Sequence, residues 1–237
     1  MSSSFLGEQQ AGCFNTDGLP PPVDHRSTAG VREGRGLPVS CIHDGSALLD
    51  EDELRDALHD RICGHYVAAF KLLPVAEHTD LIACLDLNGG GICVGLLEPR
   101  SNIVVNAVIE YDWRQRQSTW REPRWPAWDD IGEDVKREFD EKRRWLVPAQ
   151  LSVNGLVTFL CYYFRYLSAP QALGYLYLAN ADLVVAMGLV EMDLANSSYY
   201  TFHWPCRWRT FVALFLAAKS AQHPDPYDVA VLSHRRF

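Results

Sequence analysis

LSVNGLVTFLCYYFRYLSAPQALGYLYLANADLVVAMGLVEMD, residues 151–193, decides the fold class. Leu156, Phe159, Leu160, Tyr163 and Leu167 recur at helical spacing, and Val157, Cys161 and Phe164 widen the stripe to most of the circumference. A helix that is apolar nearly all round belongs in a core. Ser168 followed by Pro170 predicts a capped start for a second helix running through Leu178. Asn180 is placed to cap a third, with Leu183, Val184, Met187, Val190, Glu191 and Leu194 along one side. The run from Ala172 to Val190 approaches the length of a membrane span, but Asn180 and Asp182 sit at its middle, a costly place for polar groups. Two short helices joined at Asn180 fit the run better.

Toward the N-terminus, Leu54, Leu58, Ile62, Tyr66, Ala69, Phe70 and Leu73 predict an amphipathic helix. Asp50 is its expected cap, Glu51, Asp52 and Glu53 occupy the favourable first turn, and Pro74 stops it. Thr79-Asp80 predicts a short helix from Leu81 to Leu87, ended by Asn88-Gly89-Gly90-Gly91. Ile92 to Glu98 is a brief apolar stretch. Pro99 breaks it, and Ser101 is expected to cap a helix from Asn102 to near Asp112, although its β-branched residues also suit a strand. Residues 129–146 read as a charged, solvated helix anchored by Val135, Phe139 and Trp145. Toward the C-terminus, Asn196-Ser197-Ser198 is a loop, Trp208, Phe211, Val212, Phe215 and Leu216 mark a helix, and Asp225-Pro226 starts a last one toward Arg235. Regular strand alternation is missing, so the expected fold is all-α, an irregular bundle of about eight helices.

The chain has 237 residues, 48% hydrophobic and 22% charged, which excludes a wholly disordered protein and suits one domain. Residues 1–46 are rich in Gly, Pro and Ser and lack an apolar period, so they read as a disordered tail. Residues 47–237 then form a single helical domain, with a Trp/Arg-rich connection at 113–128 inside it. The net charge of −8 leaves no basic footprint over the chain as a whole, and residues 1–111 hold 16 acidic against 7 basic side chains. Nucleic acid is therefore an unfavoured partner. The cysteines number seven, with no CxxC, and the opening MSSSFLGEQQ lacks the basic and apolar regions of a signal peptide. Free thiols in a cytoplasmic or nuclear protein without a membrane span are the expectation.

Chemistry-bearing motifs are few. Gly89-Gly90-Gly91-Ile92-Cys93-Val94-Gly95 fits neither GxGxxG nor a P-loop, and reads better as a helix end and packing turn than as a phosphate cradle. His203 with Cys206 and Cys63 with His65 are too sparse for a structural zinc site, so no metal and no cofactor is expected. No nucleophile sits in a recognisable catalytic context, so no enzyme activity is expected. The strongest surface candidate is Trp113, Arg114, Arg116, Trp120, Arg121, Arg124, Trp125 and Trp128. Rings interleaved with cations suit a protein hot spot or, less well, stacked bases. They also suit a connection whose tryptophans pack inward while the arginines pair with Glu122, Asp129 and Asp130.

Two stretches carry a family resemblance. Gly91, Cys93, Gly95, Leu96, Pro99, Ser101, Asn102, Ile103 and Asn106 make one pattern; Gly155 to Leu167 followed by Ala172 to Ala186 makes the other. Together they resemble a large plant family, especially numerous in grasses, whose shared unit is a PIR-two-like helical domain. The resemblance implies an all-α fold over most of residues 50–235. It implies no activity, since the family has no established catalytic residues to carry over, and no RING is present. Gly91, Gly95, Pro99, Ser101, Asn102 and Asn106 have plain structural uses as turn, break, cap and helix face. Arg165, inside an apolar helix, is expected to pair with Asp182 or Glu191 in a half-buried bridge. The functional expectation is a non-enzymatic interaction or scaffold module for an unknown protein partner. The alternatives are a small-ligand protein or enzyme with a pocket lined by Tyr162, Tyr163, Tyr175, Tyr177, Tyr199 and Tyr200, and weak nucleic-acid binding through the Trp/Arg segment.

Overall fold

In the computed structural model, residues 50–73, 80–86, 90–117, 132–133, 137, 141–196 and 207–234 are described. The expected tail at 1–46 lies outside them. The described residues hold eight α-helices and no strand: α1 (Glu51–Phe70), α2 (Asp80–Asp86), α3 (Pro99–Arg116), α4 (Leu146–Tyr163), α5 (Ala169–Leu178), α6 (Leu183–Asn196), α7 (Arg207–Ser220) and α8 (Pro226–His234). A 3-10 turn, Lys142–Trp145, leads into α4.

α1 starts where its acids say it should. The Glu53 N–H donates to Asp50 Oδ1 at 2.8 Å and the Asp50 N–H to Glu53 Oε2 at 3.1 Å, a reciprocal capping box. Its buried positions, Leu58, Ile62, Tyr66, Ala69 and Phe70, follow the helical period. Trp145, fully buried, stacks on the Tyr66 ring at 5.5 Å. The Tyr66 hydroxyl donates to Pro148 O at 3.2 Å and lies 3.0 Å from Ser152 Oγ, so α1 is pinned to α4 by polar as well as apolar contacts. The solvated helix expected over 129–146 falls largely outside the described residues; where the chain is described, Trp145 is core and Leu146 opens α4.

Residues 90–98 run through the interior without regular structure, which obliges something to satisfy their backbone. Two asparagines on one face of α3 do so. Asn106 Nδ2 donates to Ile92 O at 2.7 Å and to Val94 O at 2.8 Å. Asn102 donates to Leu97 O at 2.8 Å and accepts from the Leu97 N–H at 3.1 Å. Ser152 accepts the Cys93 N–H at 2.9 Å. Glycines 91 and 95 make room: a Cβ on Gly91 would press on Leu85, and one on Gly95 would enter the Asn102 carboxamide. The Gly91 N–H donates to Cys84 O at 3.0 Å, so the glycine run closes the end of α2.

Ser101 does not cap α3. Pro99 occupies the first turn with its φ already fixed, Glu98 stands at the cap position, and the Ser101 hydroxyl donates to Glu98 at 3.2 Å. α3 also continues past Asp112 to Arg116, with Arg114 and Arg116 in its last turn, where cations suit the dipole.

Asn180 is not the cap of α6 either. The N–H groups of Val184 and Val185 are taken by Asp182 Oδ1 at 3.0 and 3.1 Å. Asn180 instead ends α5, at φ 53°, in a Schellman arrangement: the Ala181 N–H donates to Leu176 O at 2.8 Å and the Asn180 N–H to Tyr177 O at 3.1 Å. Ala181 at φ 64° extends the left-handed step, and α5 and α6 diverge by 114°. The run from Ala172 to Val190 is thus two helices, as its sequence indicates. Among the described residues, α4 alone has the length and apolarity of a membrane span, and half of it is buried inside the protein.

α7 lies on α4 through small residues. A Cβ on Gly155 would sit 2.6 Å from Val94 Cγ2, 2.8 Å from Ala217 O and 3.0 Å from Ala221 Cβ. The buried face of α7 is therefore Thr210, Ala213, Leu214, Ala217 and Ala218, with Phe211 and Phe215 partly buried beside it. α8 begins with the Asp228 N–H on Asp225 Oδ1 at 3.1 Å.

Candidate functional site

The packing of α7 determines what it presents outward. With alanines turned to Gly155, Trp208 is left in solvent, while Phe211 and Phe215 stay partly buried against the core. Trp208 is 70% exposed and stacks on Phe211, ring centroids 5.7 Å apart. Phe211 meets the edge of Tyr227 at 5.9 Å and of His234 at 6.2 Å, both on α8. Tyr227 and Leu232 are exposed as well, at 59% and 42%. Arg207 and Arg209, on either side of Trp208, are exposed, and among the described residues neither forms an ion pair. A continuous aromatic surface framed by two unneutralised cations results. Nothing in the folding of α7 or α8 requires it, since their buried faces are already filled by Ala213, Ala217, Val229 and Ala230.

The described part of the Trp/Arg candidate is organised differently from the sequence expectation. Arg114 is buried and cannot belong to an open surface: its Nε donates to Glu110 Oε1 at 2.7 Å within α3. Trp113 is half-buried. Arg116 is exposed and pairs with Asp228 at 3.0 Å, which fastens the end of α3 to the start of α8. Trp120, Arg121, Arg124, Trp125 and Trp128 lie outside the described residues. The end of α3 is consequently next to the aromatic surface, one residue from Tyr227.

Below this junction sits a buried polar cluster. Glu110 is fully buried, with Arg114 on one oxygen and Gly90 against the other. Burial pushes its carboxyl up to about 7, and the Arg114 charge only partly offsets this. His223 is also buried and held neutral, its pKa lowered chiefly by desolvation. Its Nδ1 accepts the Asp225 N–H at 3.0 Å, so Nε2 carries the proton and donates to Asn106 O at 3.2 Å.

A concavity borders α1. It is a cleft of about 500 Å³ lined by His65 and Ala68 of α1, Glu98, Pro99 and Arg100 at the start of α3, and Ala179, Asn180, Asp182 and Val185 at the α5–α6 turn. Its charges are largely engaged: Arg100 pairs with Glu98 at 3.0 Å, Asp182 caps α6, and His65 Nε2 donates to Asn180 O at 3.0 Å. Burial lowers the pKa of His65. The cleft unites Pro99 and Asp182, one from each of the two motif stretches. None of the six tyrosines expected to line a pocket borders it. Tyr163 stacks on Phe159, Tyr175 donates to Asp193 at 2.7 Å, Tyr177 lies under the Arg61 guanidinium, Tyr162 is half-buried, and Tyr199 and Tyr200 lie outside the described residues.

The expected bridge from Arg165 is not formed. α4 ends at Tyr163, so Arg165 stands in the following turn and is exposed. Among the described residues neither Asp182 nor Glu191 pairs with it. Of the two sparse metal-ligand pairs, His203 and Cys206 lie outside the described residues, while Cys63 is buried and His65 faces the cleft. No group of His, Cys, Asp or Glu that could hold a metal ion occurs among the described residues.

The profile of one family, the PIR2-like helical domain, matches residues 60–191, more than half the chain. The chain belongs to the PIR2-like helical domain family. No curated protein and no solved structure matches it. The PIR2-like match spans most of α1 through most of α6, and so takes in the asparagine-bound segment, Glu110 with Arg114, and the cleft, but not His223. The aromatic surface on α7 and α8 lies C-terminal to the matched residues. Sequence reasoning missed this surface: it took Trp208 and Phe211 only as markers of a helix. The signal available was the Arg-Trp-Arg triplet at 207–209, opposite a run of alanines.

Proposed function

We propose that this PIR2-like helical domain is a non-enzymatic protein-interaction module that docks a partner on the α7–α8 aromatic surface. The supporting observation is Trp208, 70% exposed and stacked on Phe211 beside the exposed Tyr227. Large rings held rigidly at a surface present apolar area at little entropic cost, and tryptophan, tyrosine and arginine are enriched among residues that dominate binding energy. The titratable groups that meet elsewhere engage each other or the backbone, which suits a scaffold better than acid–base chemistry. An intracellular plant setting is part of this proposal, supported by the motif resemblance and by the free cysteines among the described residues.

The test uses the full-length chain, panned against a displayed library of random short peptides, and a variant carrying Trp208→Ala and Tyr227→Ala. Both side chains are exposed, so stability should stay within about 0.5 kcal/mol of wild type. Peptides selected on wild type should lose binding to the folded variant. Equal binding to both places docking elsewhere and refutes the proposal. A small-ligand role is the second reading, carried by the cleft between α1, α3 and the α5–α6 turn. A compound screen by thermal shift, repeated on Val185→Trp to fill the cleft, decides it: hits lost in that variant support the role.

A further inference from the structure

We infer that the segment recognised by the α7–α8 surface is acidic and amphipathic, a stretch of another protein with Asp or Glu on either side of an apolar anchor. This inference rests on the docking role proposed above and specifies its partner. It is carried by the charges around the aromatic rings. Arg207 and Arg209 are both exposed and immediately precede and follow Trp208 in α7. A helix with 100° between neighbours places them to bracket whatever covers Trp208. Neither has a carboxylate partner among the described residues. The nearby acids of α8 are occupied: Asp228 holds Arg116 at 3.0 Å, and Asp225 accepts the Asp228 N–H at 3.1 Å. Arg207 and Arg209 are therefore the cations at these rings that no ion pair among the described residues engages.

That charge does not serve the fold. The first turn of α7 contains no acidic residue and carries both arginines, although cations there oppose the helix dipole. By contrast α1 places Glu51, Asp52 and Glu53 in its first turn. The remaining use is complementarity to an anionic ligand, and the rings beneath select one with an apolar body. A polynucleotide fits less well. Single strands are held by a continuous positive groove. Here the cations occupy one helical turn.

The random peptide library panned on the full-length chain supplies the probes. Two variants are compared with wild type: Trp208→Ala, and Arg207→Glu with Arg209→Glu. Circular dichroism and melting establish that both fold. The expected result is that selected peptides are rich in Asp and Glu around Leu, Phe or Trp. They should bind either variant roughly tenfold more weakly or worse, with affinity falling as salt rises toward a Debye length of about 8 Å. If Trp208→Ala abolishes binding while the double charge reversal leaves it intact, or the selected peptides show no acidic excess, the inference falls and the docking role survives. If neither variant loses binding, or no peptide is selected, both fall. Displacement of the peptides by a single-stranded oligonucleotide overturns the inference in favour of a nucleic-acid surface. A wild-type dimer that dissociates on Trp208→Ala overturns it in favour of self-association.

Discussion

Asn106 shows how a single side chain can hold an irregular segment in a core. Its amide hydrogens are divided between the carbonyls of Ile92 and Val94, both fully buried residues. Asn106→Ala orphans those two carbonyls at once, and should cost about 2–4 kcal/mol in denaturant unfolding. Asn106→Asp should be at least as harmful, since a carboxylate cannot donate to them. A loss below about 1 kcal/mol for both would mean that water replaces the asparagine. Glu110, one turn further along α3, makes a different prediction. Its carboxyl lies near 7 in the fold against 4.5 in an unfolded chain, so the folded state binds the proton more tightly. Stability from this group is present below pH 4.5 and is lost as pH rises through 7, by roughly 3 kcal/mol at most. His223 and His65 act in the opposite sense: their lowered pKa values contribute stability above the ordinary 6.5 that is lost as pH falls. The measurement is therefore the difference between wild type and Glu110→Gln across this range, which cancels the histidines. It should shift against wild type with rising pH, and a flat difference would show that Arg114 keeps Glu110 ionised throughout.

The turn between α5 and α6 separates two roles that one polar cluster, Asn180 to Asp182, hides in the sequence. Asp182→Ala removes the acceptor for the Val184 and Val185 N–H groups, and should lower stability by about 0.5–2 kcal/mol. Asn180→Gly should leave it unchanged or raise it by up to about 1 kcal/mol, because glycine adopts the left-handed conformation without the Cβ penalty. Opposite signs at these two sites, read from unfolding midpoints, distinguish the C-terminal end of α5 from the start of α6; a loss at Asn180→Gly would contradict the assignment. Local signals of this kind were the legible part of the chain. Asp50, Ser168 with Pro170, and Asp225 each mark a real helix start, because capping depends on residues within one turn. What depends on neighbours far along the chain was not legible. Ser101 looked like a cap until Pro99 and Glu98 took the first turn. The residues of α7 marked a helix but not its buried side, and the packing is decided by Gly155, whose missing side chain admits Ala217 and Ala221 while Trp208 stays exposed. Arg114 looked like surface because a charge is usually solvated, and only the approach of Gly90 to Glu110 shows why this one is not.

At the scale of the molecule, the helices are joined through groups that each belong to several elements. Tyr66 of α1 reaches Pro148 and Ser152 of α4; Ser152 also holds Cys93; Asn106 of α3 holds the same segment and accepts from His223 beyond α7. Such sharing predicts one cooperative unit, not independent layers. Three buried thiols report on it from three elements. Cys63 of α1 is pushed up to about 11 and Cys84 of α2 to about 12, and Cys93 of the interior segment is likewise raised, in each case mainly by burial. Since the thiolate is the reacting form, an alkylating reagent at mildly alkaline pH should leave all three unmodified in the native protein. Cys161, half-buried, should react first among the four described cysteines. Under conditions where the fold opens and recloses before labelling, Cys63, Cys84 and Cys93 should become modified with the same opening free energy, equal to that of global unfolding. Asn106→Ala should then accelerate all three by one common factor. Faster labelling of Cys63 alone would instead make α1 a separately opening element, and would place the Tyr66 hydroxyl contacts among the weak joints of the domain.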